Sequence, residues 1–215
     1  MAWTLLQHTT ATGFAPAVVA TFSSPCTPGS LIVAFVTVQS NSASLVFSDG
    51  VNSWTTVVSG GYPGQGTTLA VGYAQNSSSL SIAVTATGGT TGVSMAIAIS
   101  EWTGQAASGV VDASVVSYGF AGTASATLST AHSGDLVFAG LFSSNGTGSA
   151  GAGWTGLDSI SGYYVTEYQV QGAAGSVTVP FVVSGGVWDI AAVAFVPSGG
   201  ATTTVRLLPL TGVGK

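Results

Sequence analysis

The sequence predicts an all-β protein: a β-sandwich or jelly roll built from two sequence-related halves, with an extended C-terminal arm. Three observations carry that expectation. Segments of the first half return in the second. The apolar runs are short, rich in Val, Ile, Thr and aromatics, and bounded by Gly, Pro, Ser and Asn, which is strand punctuation with no sustained helical period. The composition supplies a core, 46% hydrophobic with 31 glycines, while only 4% of residues are charged.

The repeat is visible residue by residue. Thr27-Pro28-Gly29-Ser30-Leu31-Ile32-Val33-Ala34-Phe35 is answered by His132-Ser133-Gly134-Asp135-Leu136-Val137-Phe138-Ala139. Upstream, Gly13-Phe14-Ala15 leads into Ala20-Thr21-Phe22-Ser23, as Gly119-Phe120-Ala121 leads into Ala126-Thr127-Leu128-Ser129. Downstream, Ser53-Trp54-Thr55 matches Gly153-Trp154-Thr155, and each half closes on a long apolar segment, Val93 to Trp102 and Val187 to Val196. An internal duplication of this kind sets the domain plan: a first half over 1–104, a second over 105–197, and an arm over 198–215.

In chain order, Trp3 to His8 and Val18 to Phe22 are short candidate strands, and Leu31 to Val38 is a strong one. Ser44 to Phe47 runs into Asp49-Gly50, a tight-turn pair. Trp54 to Val58 precedes a Gly/Pro loop from Gly60 to Gly66. Leu69 to Tyr73 and Leu80 to Val84 alternate with period two, and Asn76-Ser77-Ser78 suits a hairpin between them. Met95 to Ile99 has the alanine content of a helix, but its alternation and its place in the repeat favour a strand. Val110 to Ser114 bridges the halves. Thr123 to Leu128, Leu136 to Phe142, Trp154 to Leu157, Tyr163 to Val170, Val177 to Val183 and Val187 to Val196 complete about fourteen or fifteen strands, the signature of a sandwich or jelly roll.

The Gly-Asp/Ser-Leu strand start, the Trp-Thr turn, the Tyr-containing alternating strand and the run Glu101-Trp102-Thr103-Gly104 with Val110-Val111-Asp112-Ala113 together resemble a two-half β-sandwich module. Such modules occur in phage virion structural proteins and in bacterial surface proteins. The resemblance spans about residues 13–197 and rests on packing and turn residues, so it speaks to fold more than to function. It implies a non-enzymatic structural or adhesive role.

Charge narrows the partners. Arg206 and Lys215 are the only cations, so residues 1–205 contain no Lys or Arg. Nucleic-acid binding needs clustered cations that displace phosphate counterions, and anionic membranes make the same demand; neither partner is expected. The first residues lack a basic region followed by a long apolar one, so no signal peptide is expected. Cys26 stands alone, which excludes an intrachain disulfide and a thiolate cluster.

No catalytic, cofactor or metal site is expected. Asp49, Asp112, Asp135, Asp158, Asp189, Glu101 and Glu167 are the seven acids, and Asp49, Asp135 and Asp158 sit in turn contexts where Asp is a structural choice. His8 and His132 lack H-x-E or H-x-x-x-H spacing. Gly146-Thr147-Gly148-Ser149-Ala150-Gly151 matches G-x-G-x-x-G, yet a strand-initiating Trp154-Thr155 follows where a dinucleotide site needs a helix. Leu208-Pro209-Leu210-Thr211-Gly212 resembles a sortase signal, but no membrane-length apolar segment follows it. Trp54 and Trp154, kept in both halves, read as core or strand-end anchors. Trp188, opposite Ser94 in the repeat, is the odd aromatic and reads as a packing or interface residue.

Monomeric β proteins guard edge strands with Lys, Pro or inward charges. A chain without Lys in its body is therefore expected to be covered by neighbours. The expected function is a non-enzymatic virion structural protein of a bacteriophage, a capsid decoration or a tail-associated subunit, folded in the host cytoplasm. Its partners would be copies of itself and other virion proteins, with Arg206, Leu207, Leu208 and Leu210 docking as an arm and Trp188 contributing to an interface. The alternative is a glycan-binding or adhesion module of a tail tip or bacterial surface.

Overall fold

The computed structural model describes residues 2–41, 44–75, 80, 82–120 and 122–199. The expected arm residues Arg206, Leu207, Leu208 and Leu210, and the expected hairpin at Asn76-Ser77-Ser78, lie outside the described residues. Among those described there are sixteen strands and no helix.

Eight strands form a first unit: β1 (Thr4–Phe14), β2 (Ala17–Thr21), β3 (Leu31–Val38), β4 (Val46–Ser48), β5 (Trp54–Gly60), β6 (Thr68–Gln75), β7 (Ala83–Thr87) and β8 (Ser94–Thr103). Eight more form a second: β9 (Val111–Phe120), β10 (Ala124–Thr130), β11 (Leu136–Ser143), β12 (Ser149–Ala150), β13 (Thr155–Ile160), β14 (Tyr164–Val170), β15 (Gly175–Val182) and β16 (Val187–Phe195). Each unit is an antiparallel sandwich of a five-stranded and a three-stranded sheet. The orders are β1-β8-β3-β6-β5 over β2-β7-β4, and β9-β16-β11-β14-β13 over β10-β15-β12. Strand for strand the two orders are the same.

The bulges coincide as well. Leu6 interrupts the β1–β8 ladder as Asp112 interrupts β9–β16, and Val57 interrupts β5–β6 as Leu157 interrupts β13–β14. A bulge adds a residue to one strand and re-aims the side chains around it. The shared register therefore fixes counterparts: Leu31 with Leu136, Phe35 with Gly140, Tyr73 with Tyr168, Trp102 with Phe195.

Three apolar cores follow from this plan. One fills the first sandwich, with Ile32, Ala34, Val36, Met95, Ile97 and Ile99. One fills the second, with Val137, Ala139, Leu141, Ile190 and Ala192. The third lies between the two five-stranded sheets and holds Leu31, Val33, Phe35, Leu69, Trp102, Leu136, Phe138, Val193 and Phe195. The stack is thus four sheets deep, and the inner two are covered on both faces. That is why β3 and β11 are buried at every position and read as continuous apolar runs rather than alternating ones.

Counterpart residues meet across the third core. Trp102 lies edge-on to Tyr168 with ring centroids 4.8 Å apart, and Phe195 meets Tyr73 the same way at 5.9 Å. A pair of equivalent contacts, each made once from either unit, defines an approximate two-fold relation. Phe35 lies against its own counterpart, Gly140, where an added Cβ would fall 2.3 Å from the Phe35 ring. Two rings cannot share that spot, so one strand supplies the ring and the other the hole.

Four expectations are revised. β1 continues to Phe14 because Thr9, Thr10 and Thr12 pair along β8; their polarity ended the apolar pattern but not the ladder. The segment at Val110 is no simple bridge: β9 is a full edge strand through Phe120. The strand expected from Leu80 begins at Ala83 and runs to Thr87. The two-residue β12 is too short to leave a pattern.

Candidate functional site

Trp188 is the one predicted partner-contact residue among the described residues. Its ring, 7% exposed, packs over Gly119, where an added Cβ would stand 2.5 Å away. It belongs to the core of the second unit, and by register its counterpart is Met95, not Ser94, because the ladders align Trp102 with Phe195. Trp54 and Trp154 sit at equivalent register and pack on the first and second cores.

The polar groups are more telling. Buried carboxylates must be paired, hydrogen-bonded or neutral, so each acid in this weakly charged chain needs an account. Asp49 closes its turn by accepting from the backbone of Val51 and Asn52. Asp158 joins the units at their edge, 2.9 Å from His8 Nδ1. Glu101 is 1% exposed and fully met: the Gln7 amide donates to Oε2 at 2.6 Å and the Thr27 N–H to Oε1 at 2.5 Å.

Two further acids are buried with only one donor each. Glu167 accepts from the Gly151 N–H at 2.7 Å, and burial pushes its carboxyl up to about 8 against that bond. Asp189 accepts from the Tyr62 N–H at 2.6 Å, across the boundary between units. Burial lifts it to about 6.

The densest cluster is a corner of the second unit, where Asp112, His132 and Asp135 offer ligand atoms all within 4.8 Å of one another. The β9 bulge places Asp112, and the turn before β11 places the other two. His132 Nδ1 is 3.3 Å from Asp112 Oδ1, and Asp112 Oδ2 accepts from the Ala131 N–H at 2.5 Å. Asp135 is 0% exposed, and no N–H or O–H donor reaches either of its oxygens. Its neighbour is the Asp112 carboxylate. Burial, then that neighbour, pushes Asp135 up to about 8. For Asp112, burial acts upward but is outweighed by the Asp135 carboxyl, the Ala131 N–H and His132, which leave it below its ordinary value. A pair in this contact is closer than the roughly 5–9.5 Å separation that glycoside hydrolysis uses.

The turn is held from three sides. Gly134, at φ 84°, donates its N–H to the Gln171 carbonyl, Gln171 donates back to the Asp135 carbonyl, and the Trp3 indole of the first unit donates to the Gly134 carbonyl at 2.9 Å. The sequence showed His132 and Asp135 three apart in a turn but gave no sign of Asp112. Only the β9 bulge brings it there.

Fold and corner together define an all-β double sandwich carrying, among the described residues, one concentrated group of potential metal-ligating side chains. No family model, curated protein or solved structure matches the chain.

Proposed function

We propose that this chain is a non-enzymatic structural subunit of a phage virion, a capsid decoration or tail-associated protein that works in an assembly of copies. The observation that supports it is the pair of long edge strands, β1 and β9, ending in counterpart rings: Phe14 is 68% exposed and Phe120 69%. An edge strand is a template for pairing with another chain, and lysines are the usual guard. Residues 1–205 have none. Large exposed rings at equivalent places on both units suit a repeated contact with neighbours.

The test is the association state of the full chain by sedimentation velocity, beside Phe14→Lys/Phe120→Lys. The expected result is a closed oligomer for the natural chain and dissociation of the double variant with unchanged circular dichroism. A natural chain that stays monomeric over a wide concentration range removes the assembly reading. Imaging of a native particle with this chain located decides between head and tail, and truncation after Pro197 measures what the arm contributes to attachment.

A further inference from the structure

We propose that the Asp112–His132–Asp135 corner binds a divalent transition-metal cation of the zinc class. The inference does not depend on the assembly reading. Asp135 carries it. A carboxyl group removed from water, with no protein N–H on either oxygen and the Asp112 carboxyl as its neighbour, is satisfied only by a proton or a cation held between the two. Here it is aimed at two further groups whose free atoms are those a cation takes.

The spacing suits one ion. Two ligands bound at about 2.0–2.1 Å in a tetrahedral shell stand roughly 3.4 Å apart, and His132 Nδ1 and Asp112 Oδ1 are 3.3 Å apart. The full set lies within 4.8 Å, so the atoms must draw together by roughly 1 Å to share one ion. An imidazole nitrogen with two carboxylate oxygens is a borderline donor set. It suits zinc and its neighbours better than calcium or magnesium, which prefer six or more oxygens or retained waters. The Asp112 and His132 side chains are 9% and 18% exposed, which gives an entry path and leaves the remaining coordination position to water.

The first unit shows what the corner looks like when protein donors fill it. By register, Thr27 is the counterpart of His132, Ser30 of Asp135 and Leu6 of Asp112. The acid there is Glu101, answered by the Gln7 amide and the Thr27 N–H; its counterpart in the second unit is Ala194. The second unit has Ala194 and Ala113 where the first has Glu101 and Gln7, and it gathers Asp112, His132 and Asp135 where the first has Leu6, Thr27 and Ser30. Its turn is pinned by Gln171 and Trp3, so the group is organised before an ion arrives.

The test uses the full chain after dialysis against a chelator. Zinc chloride is titrated by calorimetry and its effect on the melting temperature is recorded, with magnesium chloride in parallel and cobalt(II) absorption as a spectroscopic reading. The expected result is one zinc per chain, a raised melting temperature, and binding weakened about tenfold or more in Asp135→Asn and in His132→Ala, with His8→Ala unchanged. His132 is partly exposed, so its variant keeps the test alive where Asp135→Asn fails to fold. No heat and no thermal shift in the natural chain overturns the proposal. So does zinc binding that survives both corner variants or disappears with His8→Ala. In either case the corner holds only a proton shared between the two carboxyls.

Discussion

Phe35 against Gly140 shows how a single position can decide whether two similar sheets pack. The ring fills a space that its counterpart leaves open, and a Cβ at 140 would stand 2.3 Å from it. Overpacking a close-packed core forces ring and backbone shifts. Gly140→Ala is therefore expected to cost about 1–3 kcal/mol, read as a lower denaturant midpoint with unchanged slope. Glu167, Asp135 and Asp189 give the pH dependence. Their folded-state values, about 8, about 8 and about 6, lie above those of an unfolded chain, near 4. The folded state thus holds more protons, so these groups favour folding fully below about pH 4, and that advantage is lost as pH rises through their folded values. Unfolding midpoints are expected to fall between pH 5 and pH 8. Glu167→Gln, which keeps the neutral shape, should flatten the upper part of that decline.

At the scale of elements, β1 and β9 matter most, since each is a long strand with one edge of its ladder open. Ser114 on β9 is exposed. A lysine there guards the edge without touching a core, and Ser114→Lys is expected to reduce self-association in sedimentation while leaving the melting temperature within about a degree, as surface changes usually do. Most elements were legible because strand and turn chemistry is local. Leu31 to Val38 and Leu136 to Phe142 were evident from their β-branched runs. The outer part of β1 was not, because Thr9, Thr10 and Thr12 owe their strand state to β8 rather than to an apolar pattern. The Asp112–His132–Asp135 corner was illegible for a similar reason: two members are near in sequence, while the third arrives through a bulge in another strand.

For the whole molecule, the third core makes the two units depend on each other. Leu31, Val33, Phe35, Leu69 and Trp102 face the partner unit, and a lone first half would present them to water. At about 25 cal/mol per Å² of apolar surface, that exposure is a large fraction of a domain's marginal stability. Residues 1–104 expressed alone are expected to associate or aggregate on size exclusion. The full chain is expected to unfold in one transition by both tryptophan fluorescence and circular dichroism.

The order of residues determined the all-β character, the repeated pattern and the absence of cations from positions 1–205, since composition and short-range periodicity need no partner to be read. Tertiary structure alone decided that the halves are two sandwiches joined by a third core. It also decided that Trp188 is interior and that three ionisable groups meet at one corner. Such facts depend on which surfaces and bulges face each other, and facing is a property of the folded stack that no local stretch of chain contains.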